Sequence, residues 1–80
     1  MAFLKERRRR ARVRKWRNLR KRLGQLETLI YDLELELMEY EPGDGAELHA
    51  HLQSARRSRN VTLRKLRQLE NKEKIRVLQA

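Results

Sequence analysis

The chain has 80 residues, no cysteine, and 21 Lys or Arg against 11 Asp or Glu, a formal net charge of +10. That length makes one small domain that buries only about 60 to 65 % of its unfolded surface, so a second copy or a bound partner is expected to complete its core. Disulfides and thiolate metal sites are excluded, no apolar run approaches the roughly 18 to 20 residues that cross a bilayer, and the charge exceeds the roughly 2 to 8 that solubility asks for, which points to a polyanionic partner.

The first element opens on a basic run. Arg7, Arg8, Arg9, Arg10, Arg12, Arg14, Lys15, Arg17, Arg20, Lys21 and Arg22 crowd one short segment. On a helix they surround the axis on nearly all sides. The apolar stripe that a membrane-surface helix needs is reduced to Ala2, Phe3, Leu4 and Val13, so no membrane partner is expected. A mitochondrial presequence would also be rich in Ser, and none occurs before Ser54.

The same helix then acquires a hydrophobic seam. Trp16, Leu23, Ile30 and Leu37 take a positions and Leu19, Leu26, Leu33 and Tyr40 take d positions, an unbroken alternation of three- and four-residue steps. Leu29, Tyr31, Leu35 and Met38 widen the apolar surface, so this helix is expected to have more than one neighbour. Glu41-Pro42-Gly43-Asp44-Gly45 holds the sole proline and two of the three glycines, and it breaks the helix. A second stripe follows through Leu48, Leu52, Ala55, Thr62, Leu63, Leu66 and Leu69, weakest between Arg56 and Asn60, with Ile75, Val77 and Leu78 closing the chain.

Folding the second helix back across the turn sets Leu37 against Leu52, Leu33 against Ala55, Leu23 against Leu66 and Leu19 against Leu69. Apolar meets apolar, so the sequence predicts an all-α fold, a long antiparallel αα-hairpin that dimerises into a four-helix bundle or coiled coil. The expected divisions of this single domain are a basic start over 1–22, an acidic-faced heptad helix over 23–41, a turn over 42–46 and a second helix over 47–80.

Charge is segregated along the chain. Residues 1–22 carry +11, residues 23–50 carry −8 and residues 51–80 carry +7. The hairpin explains this pattern: both cationic blocks gather at the open end, and the acidic block occupies the turn. Arg56, Arg57, Arg59, Arg64, Lys65 and Arg67 supply a second basic row. The first three lie level with Glu27, Asp32 and Glu34 and have ion pairing as an alternative role. Arg64, Lys65, Arg67, Lys72 and Arg76 lie level with other cations, which favours an anionic partner.

Arginine outnumbers lysine among the cations, and its planar fork grips phosphate and stacks on bases where lysine acts as a point charge. Nucleic acid is therefore the expected partner. RNA is favoured over DNA, because the deep groove of duplex RNA is met through shape, phosphate and 2′-OH contacts rather than through a base code. A basic run leading into leucines also suggests a basic-zipper DNA binder, but Asn18 is misplaced for that motif and a zipper does not turn back at Pro-Gly-Asp-Gly. The run RRRRARVRKWRNLRKR resembles the arginine-rich motifs of viral regulatory proteins. Joined to a helical hairpin, the chain is similar to the small all-helical RNA-silencing suppressors of nodaviruses, and to the cucumovirus suppressors with an Arg-rich and a leucine-rich helix. The likeness covers most of the chain as architecture and composition. It implies a dimer that lays basic helices along duplex RNA. A structural subunit of a ribosome or other ribonucleoprotein and a coiled-coil protein adaptor with a basic localisation signal are the alternatives.

Catalysis is not expected, because no nucleophile with its base, carboxylate dyad or glycine-rich phosphate loop is present. Neither a small-molecule substrate nor a cofactor is expected. His49 and His51 point to different sides of a helix and lack a third ligand, so no metal is expected. Trp16 could stack on a base, but its a position favours core packing. Gly24 inside the heptads would permit a bend or a close helix approach. The sequon Asn60-Val61-Thr62 has no consequence in a chain without a secretion signal, and the expected location is intracellular, cytoplasmic or nuclear.

Overall fold

The computed structural model describes residues 2–73, with side-chain surroundings from Leu4 to Lys72. Ile75, Arg76, Val77 and Leu78 lie outside the described residues. Two helices take up most of the described residues, α1 from Ala2 to Leu37 and α2 from Ala46 to Glu73. Arg, Leu, Glu and Lys dominate both and rank near the top in helix propensity, and Gly24 is the sole glycine within either. At about 1.5 Å per residue α1 is roughly 54 Å long. The molecule measures 61 × 22 × 15 Å, the outline of two rods lying side by side.

The antiparallel hairpin expected from the heptads is the observed fold. Its core is thin. Leu23, Ile30 and Leu33 of α1 and Leu52, Ala55 and Leu66 of α2 are buried. Ile30, Leu33, Leu52 and Ala55 form one cluster, with Leu37 and Leu48 packed against it at the turn end. The expected pairs Leu33 with Ala55 and Leu37 with Leu52 are thus gathered together. Leu19, Leu26, Leu63 and Leu69 are half-buried, at the margin of what two helices cover.

Thr62 is buried in the α2 stripe at 3 % exposure. Its hydroxyl donates to the Ser58 carbonyl at 2.8 Å, which satisfies the one polar group that would otherwise cost free energy there. Arg59 falls between Ala55 and Thr62 on the same stripe and is half-buried. This is the weak stretch that the sequence pattern shows.

The turn departs from expectation. Helix α1 stops at Leu37 instead of near Glu41, and the connection covers 38–45. Met38, Glu39 and Tyr40 donate to the carbonyls of Leu35, Glu36 and Leu37 at 3.2, 3.1 and 3.1 Å, the tightened last turn of a fraying helix. Glu34, Glu36, Glu39 and Glu41 crowd the negative end of the helix dipole, and Pro42 pushes Glu41 out of the helical region. Tyr40 therefore does not extend the seam and is exposed. Asp44 N–H donates to the Glu41 carbonyl at 2.9 Å, and Gly43 has φ +94°, so Pro42 and Gly43 make a type II turn.

Gly45 precedes α2 with φ +75°. A Cβ there would meet Leu37 Cδ2 at 3.1 Å and Tyr40 Cδ1 at 3.4 Å, so both the backbone angle and the close approach call for glycine. Glu47 in the first turn of α2 complements the positive end of its dipole.

Candidate nucleic-acid interface

Ten of the eleven cations between Arg7 and Arg22 are exposed, and Arg12, in line with Trp16 on the seam, is half-buried. The fold sorts them by position around α1. Lys15 and Arg22 stand on one side of the seam and meet cations of α2. Lys15 shares an open cleft of about 300 Å³ with Lys65, Gln68, Leu69 and Lys72. Arg22 shares a second, of about 240 Å³, with Leu19, Arg57, Ser58, Val61, Thr62 and Lys65. Lys65 borders both. Ser58 links the second cleft to a third, of about 260 Å³, that is more apolar and is bordered by Leu26, Leu29, Leu33, His51, Ser54 and Ala55.

Cations from both helices thus line one side of the hairpin from Lys72 to Arg57, about 22 Å of helix length. Like charges held this close raise the local positive potential and draw anions to the cleft.

The opposite side of the seam carries contacts made within the hairpin. Trp16 Nε1 donates to Glu70 Oε1 at 3.2 Å across the helices. The Arg20 guanidinium lies 6.0 Å from the Trp16 ring centroid. Arg56 pairs with Glu34 at 3.0 Å, both side chains about half exposed. The ion-pair role held open for Arg56 is the one it takes, and its charge is answered within the hairpin. The remaining predicted cations are less concentrated. Arg7, Arg8, Lys21, Arg64 and Arg67 are exposed and border none of these clefts, whereas Arg59 is turned into the seam stripe.

Arg9, Arg10, Arg14 and Arg17 border an open groove of about 480 Å³ on the outer face of α1, together with Glu6 and Val13. Glu6 pairs with Arg10 at 3.9 Å, an exposed one-turn ion pair.

Sequence reasoning missed Gln68 and Ser58, which complete the clefts, and Glu70, which holds Trp16. Their heptad neighbours Leu66, Leu69 and Thr62 carry the signal, because residues next to a core position line the border of the seam. Among the described residues no three or more His, Asp or Glu gather as a metal site, and no helix is long and apolar enough to cross a membrane. No protein family, curated protein or solved structure matches this chain.

Proposed function

We propose that the chain is a non-enzymatic nucleic-acid-binding protein that acts as a dimer and holds structured or double-stranded RNA along its cationic side, sequestering the duplex as a silencing suppressor does. One observation carries the reading: Lys15 and Arg22 of α1 and Arg57, Lys65 and Lys72 of α2 border linked clefts on one side of the seam, while the other side is occupied by internal pairs. A rigid row of this kind suits recognition of phosphate and shape without a base code. Arg7, Arg8, Arg9 and Arg10 extend the positive surface beyond the clefts.

The test is fluorescence anisotropy of the chain with duplex RNA, duplex DNA and single-stranded RNA of equal length at two salt concentrations. Preference for duplex RNA that persists at physiological salt supports the reading. Equal and steeply salt-sensitive binding to all three makes the surface a general polyanion clamp and moves the search to a ribonucleoprotein or protein partner.

A further inference from the structure

The hairpin spends one face of α1 on α2 and leaves a second heptad line uncovered. Gly24, Thr28, Tyr31, Leu35 and Met38 follow one another by steps of four, three, four and three residues on the outer face. All five are exposed, with Tyr31 at 62 % and Met38 at 79 %. Gly24 has nothing within 4 Å of where its Cβ would stand, so no contact inside the hairpin calls for glycine there. Thr28 donates its hydroxyl to the Gly24 carbonyl at 3.0 Å and presents its methyl group without a polar demand. Toward the N-terminus the same line runs into the groove bordered by Val13, Arg14 and Arg17.

The flanks of this line change sign at Gly24. Arg14, Arg20 and Lys21 border it before the glycine, and Glu27, Asp32 and Glu39 border it after. We infer that this face seats a second copy of the chain running antiparallel, the two α1 helices crossing closely at Gly24 and Thr28. In that arrangement Leu35 of one copy lies over the Arg17 stem of the other, and Met38 enters the groove at Val13 and Arg14. Asp32 falls against Lys21 and Glu39 against Arg14, twice over by the two-fold symmetry. A parallel pair would instead set Asp32 and Glu39 against their own copies, a like-charge contact. The missing Cβ at Gly24 lets the backbones approach. The thin two-helix core supplies the reason, since each hairpin leaves apolar surface that a four-helix arrangement removes from water.

This names the face and direction of the dimer included in the proposed function. It leaves the cationic side of the seam open, because Lys15 and Arg22 stand on a different flank of α1. The acidic segment of each copy answers Arg14 and Lys21 of the other, so those two are dimer contacts more than phosphate contacts.

Sedimentation equilibrium of the chain alone across a concentration series tests the association without any nucleic acid. A dimer is expected. Gly24→Leu, which adds helix propensity where the hairpin has open space, is expected to keep the circular-dichroism helix signal and raise the dimer dissociation constant by about tenfold or more. Mixed Arg17→Cys and Leu35→Cys chains should form an interchain disulfide on mild oxidation, in a protein with no other cysteine, while Leu35→Cys alone should not. A chain that stays monomeric, a Gly24→Leu dimer of unchanged affinity, or a Leu35→Cys homodisulfide formed in preference to the mixed one overturns the arrangement. A dimer that binds none of the anisotropy probes upholds it and removes the RNA reading instead.

Discussion

Trp16 sits where the basic run meets the first leucine, and its indole N–H donates to Glu70 across the hairpin. The ring is half-buried and has the Arg20 guanidinium 6.0 Å from its centroid, so its donor and one face are engaged within the protein. Trp16→Phe is therefore expected to cost about 1 kcal/mol through loss of the hydrogen bond, read by urea denaturation, with nucleic-acid affinity changed by less than about threefold. A large affinity loss at unchanged stability would show that the indole stacks on a base. For the Arg56–Glu34 pair, the half exposure of both side chains limits the effect, and Glu34→Gln should lower stability by no more than about 1 kcal/mol in the same assay. Leu66 at 2 % exposure is the most enclosed seam residue; Leu66→Ala should cost about 2 to 5 kcal/mol and lower the melting temperature of so small a core steeply.

At the scale of the element, the connection deserves its two positive-φ glycines for different reasons. Gly43 serves the type II turn, and its surroundings are open. Gly45 combines φ +75° with contact to Leu37 and Tyr40, so Gly45→Ala should destabilise the hairpin by about 1 kcal/mol or more, seen as a shift of the thermal midpoint. Helix α1 ends where carboxylates meet the negative dipole end. Replacing Glu39 and Glu41 with Lys is expected to lengthen the helix by part of a turn, which helix-sensitive chemical shifts of 38–41 would record.

For the molecule as a whole, the charge blocks become a bar with a cationic end and an acidic turn. Binding to a polyanion through such an end should weaken linearly with the logarithm of salt concentration. Lys65→Ala and Arg22→Ala should each lower that slope by about one counterion, whereas Arg56→Ala should leave it unchanged, because Arg56 already answers Glu34. A slope reduced equally by all three would mean that net charge alone, and not the cleft row, governs binding.

The residue order already encodes the two helices, their antiparallel pairing and the separation of charge between the ends. Local periodicity and one Pro-Gly turn suffice for these, since a heptad seam has a single face to bury and a short connection allows only antiparallel return. It also placed Leu33, Ala55, Leu37 and Leu52 in one core. Which flank of each helix faces the same side emerges only when the two helices pack. Lys15, Arg22, Arg57, Lys65 and Lys72 share a border while Trp16, Glu70, Arg56 and Glu34 share the other, because the rotation of each helix about its axis is fixed by packing and not by composition. The end of α1 at Leu37 was hidden for a related reason. Tyr40 continues the heptad count, but hydrogen bonding at a helix terminus answers to local charge and to Pro42, which periodicity does not weigh.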